Sequence, residues 1–447
     1  DWNTGANWDR GYVPNTTDSV LILLGANNPA TLAADTTVVN ATINAAGAGI
    51  STVGNDLAVT GNLAVTNGTL TEAAGSTVTV TGNTTASGTI NLNGGDLTTT
   101  NLTVSGTLVA SNIETITVNG SIDFSAAGDD FTQASSTVEM AGASTPVAIN
   151  ATGEDMFYNL TIAKNLNTDI VNLSSSLTVD NTLAVNTGIL RLNAFTLTVT
   201  APLDLNSGSG ELHLNNASSA LALGANALSV SAGTLNQDLG DVSAGSLSVS
   251  GTGSYDATGA GATDSLITTP GPIQVTGGTL TLAGLTVSCG GLSQTGGTLN
   301  AGSSSISSSG SVAVTAGTFA EGTSTLTMTG AGTSVRFTGP RRPYDLLIAP
   351  GAANTVTIDT DDLTVGNALT VTNGTFSTNS TNLTVLGSAT VSGTLTGSAA
   401  PDQIVVNGNT TATGTINLNN GNLTTTNLTI SGTLVASNIE TITVNGS

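Results

Sequence analysis

The residues of this chain that could do chemistry are few, and most of them stand alone. A single histidine, His213, and a single cysteine, Cys289, leave no second nitrogen or sulfur ligand for a zinc site. The six basic residues gather only once, in the stretch PRRPYD that contains Arg341 and Arg342, with Arg336 just before it. Cleavage of a glycan would need carboxylates beside such a base. We interpret this stretch as a corner loop whose arginines are solvated or contact an acidic neighbouring subunit.

Oxygen ligands are plentiful, because the chain has 29 Asp and Glu residues against 6 Lys and Arg residues and a formal net charge of -23. Calcium binds to groups of carboxylate and carbonyl oxygens. The best candidate ligands are Asp359, Asp361 and Asp362, followed by the pair Asp129 and Asp130. The alternative is that these carboxylates are solvated corners of the fold. Calcium is therefore the one cofactor that the sequence suggests, and otherwise we expect none.

The composition excludes several classes of protein. Thr, Gly, Ser and Asn are poor helix formers, and they dominate a chain with 55 glycines and 8% charged residues, so a helical protein is excluded. A strongly acidic chain repels phosphate, so nucleic acid is not an expected partner. No run of about 18 apolar residues marks a membrane-spanning segment. The hydrophobic residues, 38% of the chain, occur in short runs of Val, Leu, Ile and Thr that are typical of strands.

An internal repeat determines the predicted fold. A turn residue, a glycine, usually a threonine and an apolar residue recur as NGTL at Gly68, SGTI at Gly88 and SGTL at Gly106, and they continue along the chain at spacings of about 19 to 20 residues. Each period holds three short runs in which apolar and polar residues alternate. Three strands and three corners per period describe one coil of an all-β, right-handed parallel β-helix, or β-solenoid. Left-handed hexapeptide helices keep a strict coil length, so the scatter in spacing favours the right-handed form.

Longer repeats divide the predicted solenoid into segments. Residues 81–121 reappear as 407–447 with five substitutions, so Leu108 and its counterpart Leu434 are predicted to be buried core residues. Phe and Tyr concentrate in two windows of similar sequence, each interpreted as a bulged coil whose longer corner needs aromatic cover. The predicted segments are the N-terminal cap with the first coils (1–56), regular solenoid (57–128), a bulged module (129–168), regular solenoid (169–317), a second bulged module (318–358) and regular solenoid with an open end (359–447).

The ends of a solenoid expose strand edges, which natural proteins block unless stacking is wanted. Trp2, Trp8 and Tyr12 are predicted to plug the N-terminal end. Ordinary repeat sequence runs to Ser447, so we expect the last coil to be covered by further coils of the same polypeptide or by the N-terminal end of a second copy, as in an axially stacked filament. The candidate assembly residues are Trp2, Trp8, Tyr12, Arg341 and Arg342.

The opening DWNTGANWDRGYVPNTTDSVLIL resembles the start of the repetitive β-strand surface proteins that many bacteria secrete. In that family a WN..GNW..G.VP...D.V.I pattern precedes long right-handed β-helical arrays, and the two aromatic windows are similar as well. The matching residues of the opening are Trp2, Asn3, Gly5, Asn7, Trp8, Gly11, Val13, Pro14, Asp18, Val20 and Ile22. The resemblance implies a fibrous, non-catalytic role at the cell surface or outside the cell.

These observations predict a structural protein: a subunit or segment of an extracellular filament, surface appendage or adhesin stalk, with copies of itself as partners. The alternative is a glycan-binding or glycan-cleaving β-helix that takes surface glycans as ligands. A binding groove would gather aromatic residues and carboxylates along one face of adjacent coils. Most aromatic residues here lie at the N-terminus and in the two windows, which favours the structural role.

Overall fold

A computed structural model of the chain describes residues 1–23, 29–126, 128–152, 156–259, 266–398, 402–437 and 439–446. Apart from one 3₁₀ turn over Gly5–Asn7, the regular structure there is all β-strand. The strands pair in parallel with strands of neighbouring coils. The fold is a parallel β-solenoid with three strands per coil, as the sequence predicts, while its handedness stays a prediction. The chain forms two compact units, Asp1–Ala222 and Leu223–Ser447.

The described residues of unit 1 form twenty-four strands, most of them three or four residues long. They are β1 (Val20–Ile22), β2 (Ala30–Thr31), β3 (Thr36–Val38), β4 (Ala41–Ser51), β5 (Leu57–Val59), β6 (Leu63–Thr71), β7 (Thr77–Val80), β8 (Thr84–Ala86), β9 (Thr89–Asn91), β10 (Asp96–Thr99), β11 (Leu102–Val104), β12 (Thr107–Val109), β13 (Thr115–Val118), β14 (Ile122–Phe124), β15 (Asp130–Thr132), β16 (Thr137–Met140), β17 (Val147–Ala151), β18 (Met156–Ala163), β19 (Ile170–Leu173), β20 (Leu177–Arg191), β21 (Thr196–Val199), β22 (Leu203–Leu205), β23 (Ser209–Leu214) and β24 (Ala220–Ala222).

The core of unit 1 is built from apolar side chains that stack from coil to coil. Leu70 pairs with Ile90, which pairs with Leu108, and all three are fully buried. Each apolar residue lies between two outward residues of the same strand, because successive side chains of a strand point to opposite faces. We call such a stack of strands at one position of successive coils a ladder. The predicted burial of Leu108 is confirmed.

In unit 2, the part of the chain that the structure describes forms twenty-seven strands. They are β25 (Ala227–Val230), β26 (Thr234–Gln237), β27 (Asp241–Ser243), β28 (Ser246–Val249), β29 (Ser254–Asp256), β30 (Leu266–Val275), β31 (Thr279–Thr281), β32 (Thr286–Gln294), β33 (Thr298–Asn300), β34 (Ser305–Ser308), β35 (Val312–Val314), β36 (Thr318–Ala320), β37 (Thr325–Met328), β38 (Thr333–Phe337), β39 (Asp345–Ile348), β40 (Thr355–Ile358), β41 (Leu363–Val365), β42 (Leu369–Val371), β43 (Thr375–Ser377), β44 (Leu383–Val385), β45 (Ala389–Val391), β46 (Thr394–Thr396), β47 (Gln403–Ala412), β48 (Thr415–Asn417), β49 (Asn422–Ile430), β50 (Thr433–Val435) and β51 (Ile442–Val444).

One ladder of unit 2 shows how the repeat sequence becomes a surface. Its outward threonines pair in register through five coils, at Thr355, Thr375, Thr394, Thr415 and Thr433. Threonine suits this position because its branched side chain packs well on a pleated surface and interacts with the threonine across the strand pair. The repeated Gly-Thr motif therefore marks a strand-stabilising column.

Leu434 departs from the prediction made for it. It pairs with Ile416 in the register in which Leu108 pairs with Ile90, but its side chain is only partly buried. Within the described residues, β50 has a strand on one side only, so no second layer covers Leu434. The Leu434 side chain points inward, as the repeat predicts. Its full burial would need a further layer over this coil. Ser447 lies outside the described residues.

In each unit one ladder ends and another begins, and we call this place a seam. In unit 1 the ladder of β9 and β12 ends at β15, where Phe131 pairs with Leu108. A new ladder starts with Phe157, which pairs with Val179. The Phe157 ring lies 5.9 Å from the Phe131 ring and 6.2 Å from the Phe124 ring, between centroids. Aromatic packing thus joins the two ladders where strand pairing does not.

The seam of unit 2 has the same design. The ladder of β31 and β33 ends at β36, where Phe319 pairs with Leu299, and a new ladder starts at β41. The ring centroids of Phe319 and Phe337 are 5.3 Å apart in an edge-to-face arrangement. The residues between β38 and β39 form a loop that includes residues 340–344 of the stretch PRRPYD, and Asp345 begins β39. Both seams fall within the windows where the sequence concentrates aromatic residues.

Candidate functional site

The arginines of the stretch PRRPYD bind to their own chain at the seam of unit 2. Arg341 donates hydrogen bonds to the Gly317 carbonyl oxygen from Nε, at 2.9 Å, and from Nη2, at 2.6 Å. Its Nη1 donates to the Thr338 carbonyl oxygen at 2.8 Å. Gly317 immediately precedes β36, the last strand of its ladder. Arg341 therefore satisfies a backbone oxygen at a place where the ladder supplies no further strand.

Arg342 forms an ion pair on the same seam. Its Nε lies 2.9 Å from Glu321 Oε1, and both side chains are partly exposed. Such a pair contributes little net stability in water, because solvent screens it and two long side chains must be held in place. The predicted assembly residues Arg341 and Arg342 are thus placed side by side, and both contact residues of the preceding coil.

The candidate calcium ligands bind other partners. Asp361 Oδ2 accepts hydrogen bonds from Thr338 Oγ1 at 2.7 Å and from Arg336 Nε at 2.6 Å, and these bonds lower the pKa of Asp361. Asp359 Oδ2 lies 3.9 Å from Arg336 Nη1. Asp362 instead accepts hydrogen bonds from the backbone and side-chain nitrogens of Asn382.

No group of three or more His, Cys, Asp or Glu residues within the described ranges is arranged to hold a metal ion. The structure therefore does not bring the three carboxylates of residues 359–362 together as ligands. The second candidate pair lies at the seam of unit 1, where Asp130 begins β15 and Asp129 precedes it.

The N-terminal aromatic residues form a cap on unit 1. Trp2 is fully buried, and its backbone nitrogen donates to the Thr31 carbonyl oxygen at 2.8 Å. Trp8 packs edge-on against it at 4.8 Å between ring centroids, and Trp8 Nε1 donates to the Trp2 carbonyl oxygen. Tyr12 is 43% exposed, and its hydroxyl donates to Asp18 Oδ1. The cap agrees with the predicted plug, but Trp2 has no exposed surface left for contact with another subunit.

A cleft of about 910 Å³ lies beside this cap. Trp8, Tyr12, Arg10 and Asp18 line it together with apolar residues of β1. Leu21 in β1 is 53% exposed. Aromatic rings and carboxylates therefore meet at one place outside the aromatic windows.

Corner residues connect successive coils through their side chains. Asn40 Oδ1 accepts a hydrogen bond from the backbone nitrogen of Asn62, and Asn62 Oδ1 accepts one from that of Asn83, each at 2.8 Å. Asn83 Oδ1 then accepts from Asn101 Nδ2, and Asn101 Oδ1 from the backbone nitrogen of Ser121. We call this series of hydrogen-bonded side chains, which is distinct from the strand ladders, the Asn ladder. It runs along the stacking direction of the coils, so these amides support the solenoid and leave fewer polar groups for a ligand.

Polar groups inside unit 1 were not predicted. Glu72 and Glu114 are both 1% exposed. Glu114 Oε1 accepts hydrogen bonds from the backbone nitrogens of Gly94 and Ser111, and its Oε2 accepts one from Asn112. Burial alone would raise the pKa of Glu114, but these backbone donors lower it. Glu72 has no such cage: neither of its carboxyl oxygens has a hydrogen-bond partner of normal geometry, and the Val78 backbone N–H is the backbone donor that acts on its pKa.

The single lysine is another buried polar residue. Lys164 is 3% exposed and lies in the seam region of unit 1. Its Nζ donates hydrogen bonds to the carbonyl oxygens of Ala141 and Asn119, which belong to two earlier coils. Burial lowers the pKa of Lys164. The lysine therefore connects three coils from the inside.

His213 and Cys289 occupy the positions that the alternation of their strands indicates. His213 points outward between the buried Leu212 and Leu214, and its Nδ1 lies 3.3 Å from Glu211 Oε1. Cys289 is buried, and burial raises the pKa of its thiol. A buried protonated thiol behaves as a small apolar side chain, as the sequence predicts.

These contacts and the fold define a parallel β-solenoid repeat protein. Comparison of the chain with protein-family models, with curated proteins and with solved structures found no match. In the described part of the chain, no helix has the length and apolar character needed to cross a membrane.

Proposed function

We propose that this chain is a structural element of an extracellular assembly: a segment or subunit of a filament, surface appendage or adhesin stalk that acts without catalysis. The Asn ladder is the observation that carries the proposal. A ligand site needs polar groups that converge on one point, whereas these amides bind one coil to the next. A fold in which each coil contacts its neighbours is well suited to transmit force along its axis.

The charged residues support the same function. Arg341 binds backbone oxygens, Arg342 binds Glu321, and Arg336 binds Asp361. A glycan-cleaving site would instead place a general acid and a second carboxylate about 5 to 10 Å apart around an open groove. The three arginines bind groups of their own chain at the seam and in the neighbouring coil, so they stabilise the fold there.

The extracellular location rests on the resemblance of residues 1–23 to secreted bacterial repeat proteins. Copies of the chain are the proposed partners. Ile442 and Val444 of β51 are 36% and 44% exposed, and a further parallel strand layer would bury them. Such a layer could come from the same polypeptide or from a second copy stacked head to tail, where Trp8 and Tyr12 offer the remaining exposed aromatic surface.

A glycan-binding role is the second candidate, and the N-terminal cleft is the observation that favours it. Sugars bind to proteins by stacking on aromatic rings and by hydrogen bonds to planar polar side chains, and Trp8, Tyr12 and Asp18 provide both. This role is compatible with a stalk that carries a binding end. The glycan-binding role makes a prediction that the structural role does not make. The chain should bind an oligosaccharide saturably, and the Trp8→Ala variant should lose this binding.

Immunogold electron microscopy of the source cells tests the structural proposal, with antibody raised against the purified chain. We expect label along surface fibres or appendages. The purified chain should release no reducing sugar from a panel of polysaccharides. Label confined to the cell interior, or saccharide release by the purified chain, would contradict the proposal.

A further inference from the structure

Glu72 is a carboxyl group inside the solenoid with no hydrogen-bond partner. The side chain is 1% exposed, and both carboxyl oxygens are buried without a hydrogen-bond partner of normal geometry. It points inward because Leu70 is buried and Thr71 faces outward, so the next residue turns to the core. A carboxylate in this position would have lost its hydration, and the Val78 backbone N–H offsets only part of that loss, so burial favours the neutral acid.

Residues of the neighbouring coils pack against Glu72. Thr52 and Leu92 occupy the same position in the coils on either side, since Thr52 N donates to Thr71 O and Glu72 N donates to Asn91 O. A Cβ atom added to Gly95 would lie 2.6 Å from Glu72 Oε2, so the carboxyl packs directly against this glycine.

The hydroxyl groups near Glu72 are already engaged. Thr52 Oγ1 and Ser76 Oγ are hydrogen-bonded to each other at 2.8 Å. Ser76 Oγ also donates to the Ala73 carbonyl oxygen, and the Ala73 backbone nitrogen donates to Thr52 Oγ1. These groups satisfy one another and leave the Glu72 carboxyl outside their network.

The charged groups that face Glu72 from neighbouring coils are all acidic. They are Asp96, Glu114 and Asp56. Burial raises the pKa of Glu72 well above its ordinary value of 4.5, and the three negative charges raise it further. Asp96 Oδ1 accepts from the Thr115 backbone nitrogen, so this carboxylate also serves the next coil.

We propose that Glu72, Thr52, Ser76 and Gly95 form a pH-responsive latch in unit 1, closed while Glu72 holds its proton and opened locally when the carboxyl ionises. Opening lets the carboxylate reach water, where the desolvation penalty that burial places on the ionised form is absent. The direction follows from proton linkage: the closed coil binds the proton more tightly than the open one. The open fraction therefore grows as the pH rises, by about tenfold per pH unit between the pKa of the open coil and that of the closed coil.

Glu114 provides a control for the loss of a buried glutamate within the same unit. It is equally buried, but backbone nitrogens of Gly94, Ser111 and Asn112 bind its carboxylate. The same cage recurs in unit 2, where Glu440 Oε1 accepts from the backbone nitrogens of Asn420 and Ser437. Glu114→Gln therefore removes a buried glutamate and one acidic neighbour of Glu72 but keeps Glu72 itself, so it should shift the pH at which protection falls without removing the pH dependence.

Amide hydrogen exchange read by mass spectrometry tests the latch in the full chain between pH 5 and pH 8. The measured quantity is the protection factor of peptides covering residues 70–95, corrected for the pH dependence of intrinsic exchange. We expect protection in the unmodified chain to fall at least tenfold as the pH rises across this range. Glu72→Gln should remove this pH dependence, and Glu114→Gln should retain it.

A second variant, Glu72→Leu, copies Leu92 of the next coil and serves if the glutamine variant folds poorly. It should also show pH-independent protection. Constant protection of the unmodified chain between pH 5 and pH 8 would overturn the proposal. The proposal would also be overturned if protection in the Glu72→Gln or Glu72→Leu variant fell with rising pH as steeply as in the unmodified chain.

Discussion

Replacing Phe157 by leucine tests whether aromatic packing holds the seam of unit 1. Phe157 is fully buried, and its ring meets those of Phe124 and Phe131 at interplanar angles of 82° and 81°. Leucine keeps most of the apolar volume but loses both edge-to-face contacts. At about 0.5–1.5 kcal/mol for each aromatic pair, the two lost contacts amount to about 1–3 kcal/mol.

Phe376 supplies the control for this substitution. It is also fully buried, but it belongs to an uninterrupted ladder between Val356 and Leu395. Phe376→Leu should therefore cost less than about 1.5 kcal/mol, as apolar exchanges of similar volume usually do. The comparison separates the contribution of the aromatic cluster from that of burial.

Hydrogen exchange is the appropriate assay, because stacked coils unfold locally and a single melting temperature would mix the two units. We expect Phe157→Leu to lower protection in β17 to β20 by about 5- to 150-fold, the equivalent of 1–3 kcal/mol. Phe376→Leu should lower protection around β43 by less. An equal or smaller effect of Phe157→Leu would refute the role of the aromatic cluster at the seam.

Three further changes test the remaining contacts. The double variant Arg341→Ala with Arg342→Ala should keep the fold by circular dichroism and lose protection only near the PRRPYD loop, and loss of a glycan-degrading activity would overturn the structural function. Lys164→Met should lower protection from hydrogen exchange in β13 to β18 by about 5- to 150-fold, the equivalent of about 1–3 kcal/mol, because two partly buried carbonyl oxygens lose their donor; unchanged protection would contradict that role. Relative to the unmodified chain, Glu72→Gln should leave the exchange protection of residues 70–95 unchanged near pH 4 and raise it increasingly at higher pH. The reason is that the raised pKa of Glu72 gives the unmodified chain stability that is lost as the pH rises. A constant difference in protection from pH 4 to pH 8 would contradict this.

The periodicity of the sequence was sufficient to predict the solenoid and its core. Alternation around each Gly-Thr motif places residues such as Leu70 and Leu108 inward, because a strand has a side-chain period of two. The aromatic windows were also informative, since Phe131 and Phe319 each lie on the last strand of a ladder. Local pattern and tertiary structure agree where the chain follows the repeat.

The contacts of the candidate sites could not be predicted in the same way. Arg341 reaches the carbonyl oxygen of Gly317, 24 residues earlier, and the path of the loop decides this partner. Glu72 lies one residue beyond its strand, and although the alternation continues and turns it inward, a charged residue just after a strand ordinarily indicates an exposed corner. Stacking the coils in register would have revealed it, because Glu72 aligns with Leu92 and Ala110, both buried and apolar.

The central claim is that the chain is a structural part of a surface assembly, and cryo-electron microscopy of the native material tests it most directly. The account predicts that the chain is found within an extended fibre or stalk, with parallel strands stacked about 4.8 Å apart along its axis. It also predicts that Ile442 and Val444 are covered by a further strand layer. A discrete particle in which these residues face water and a saccharide occupies a groove would contradict the account.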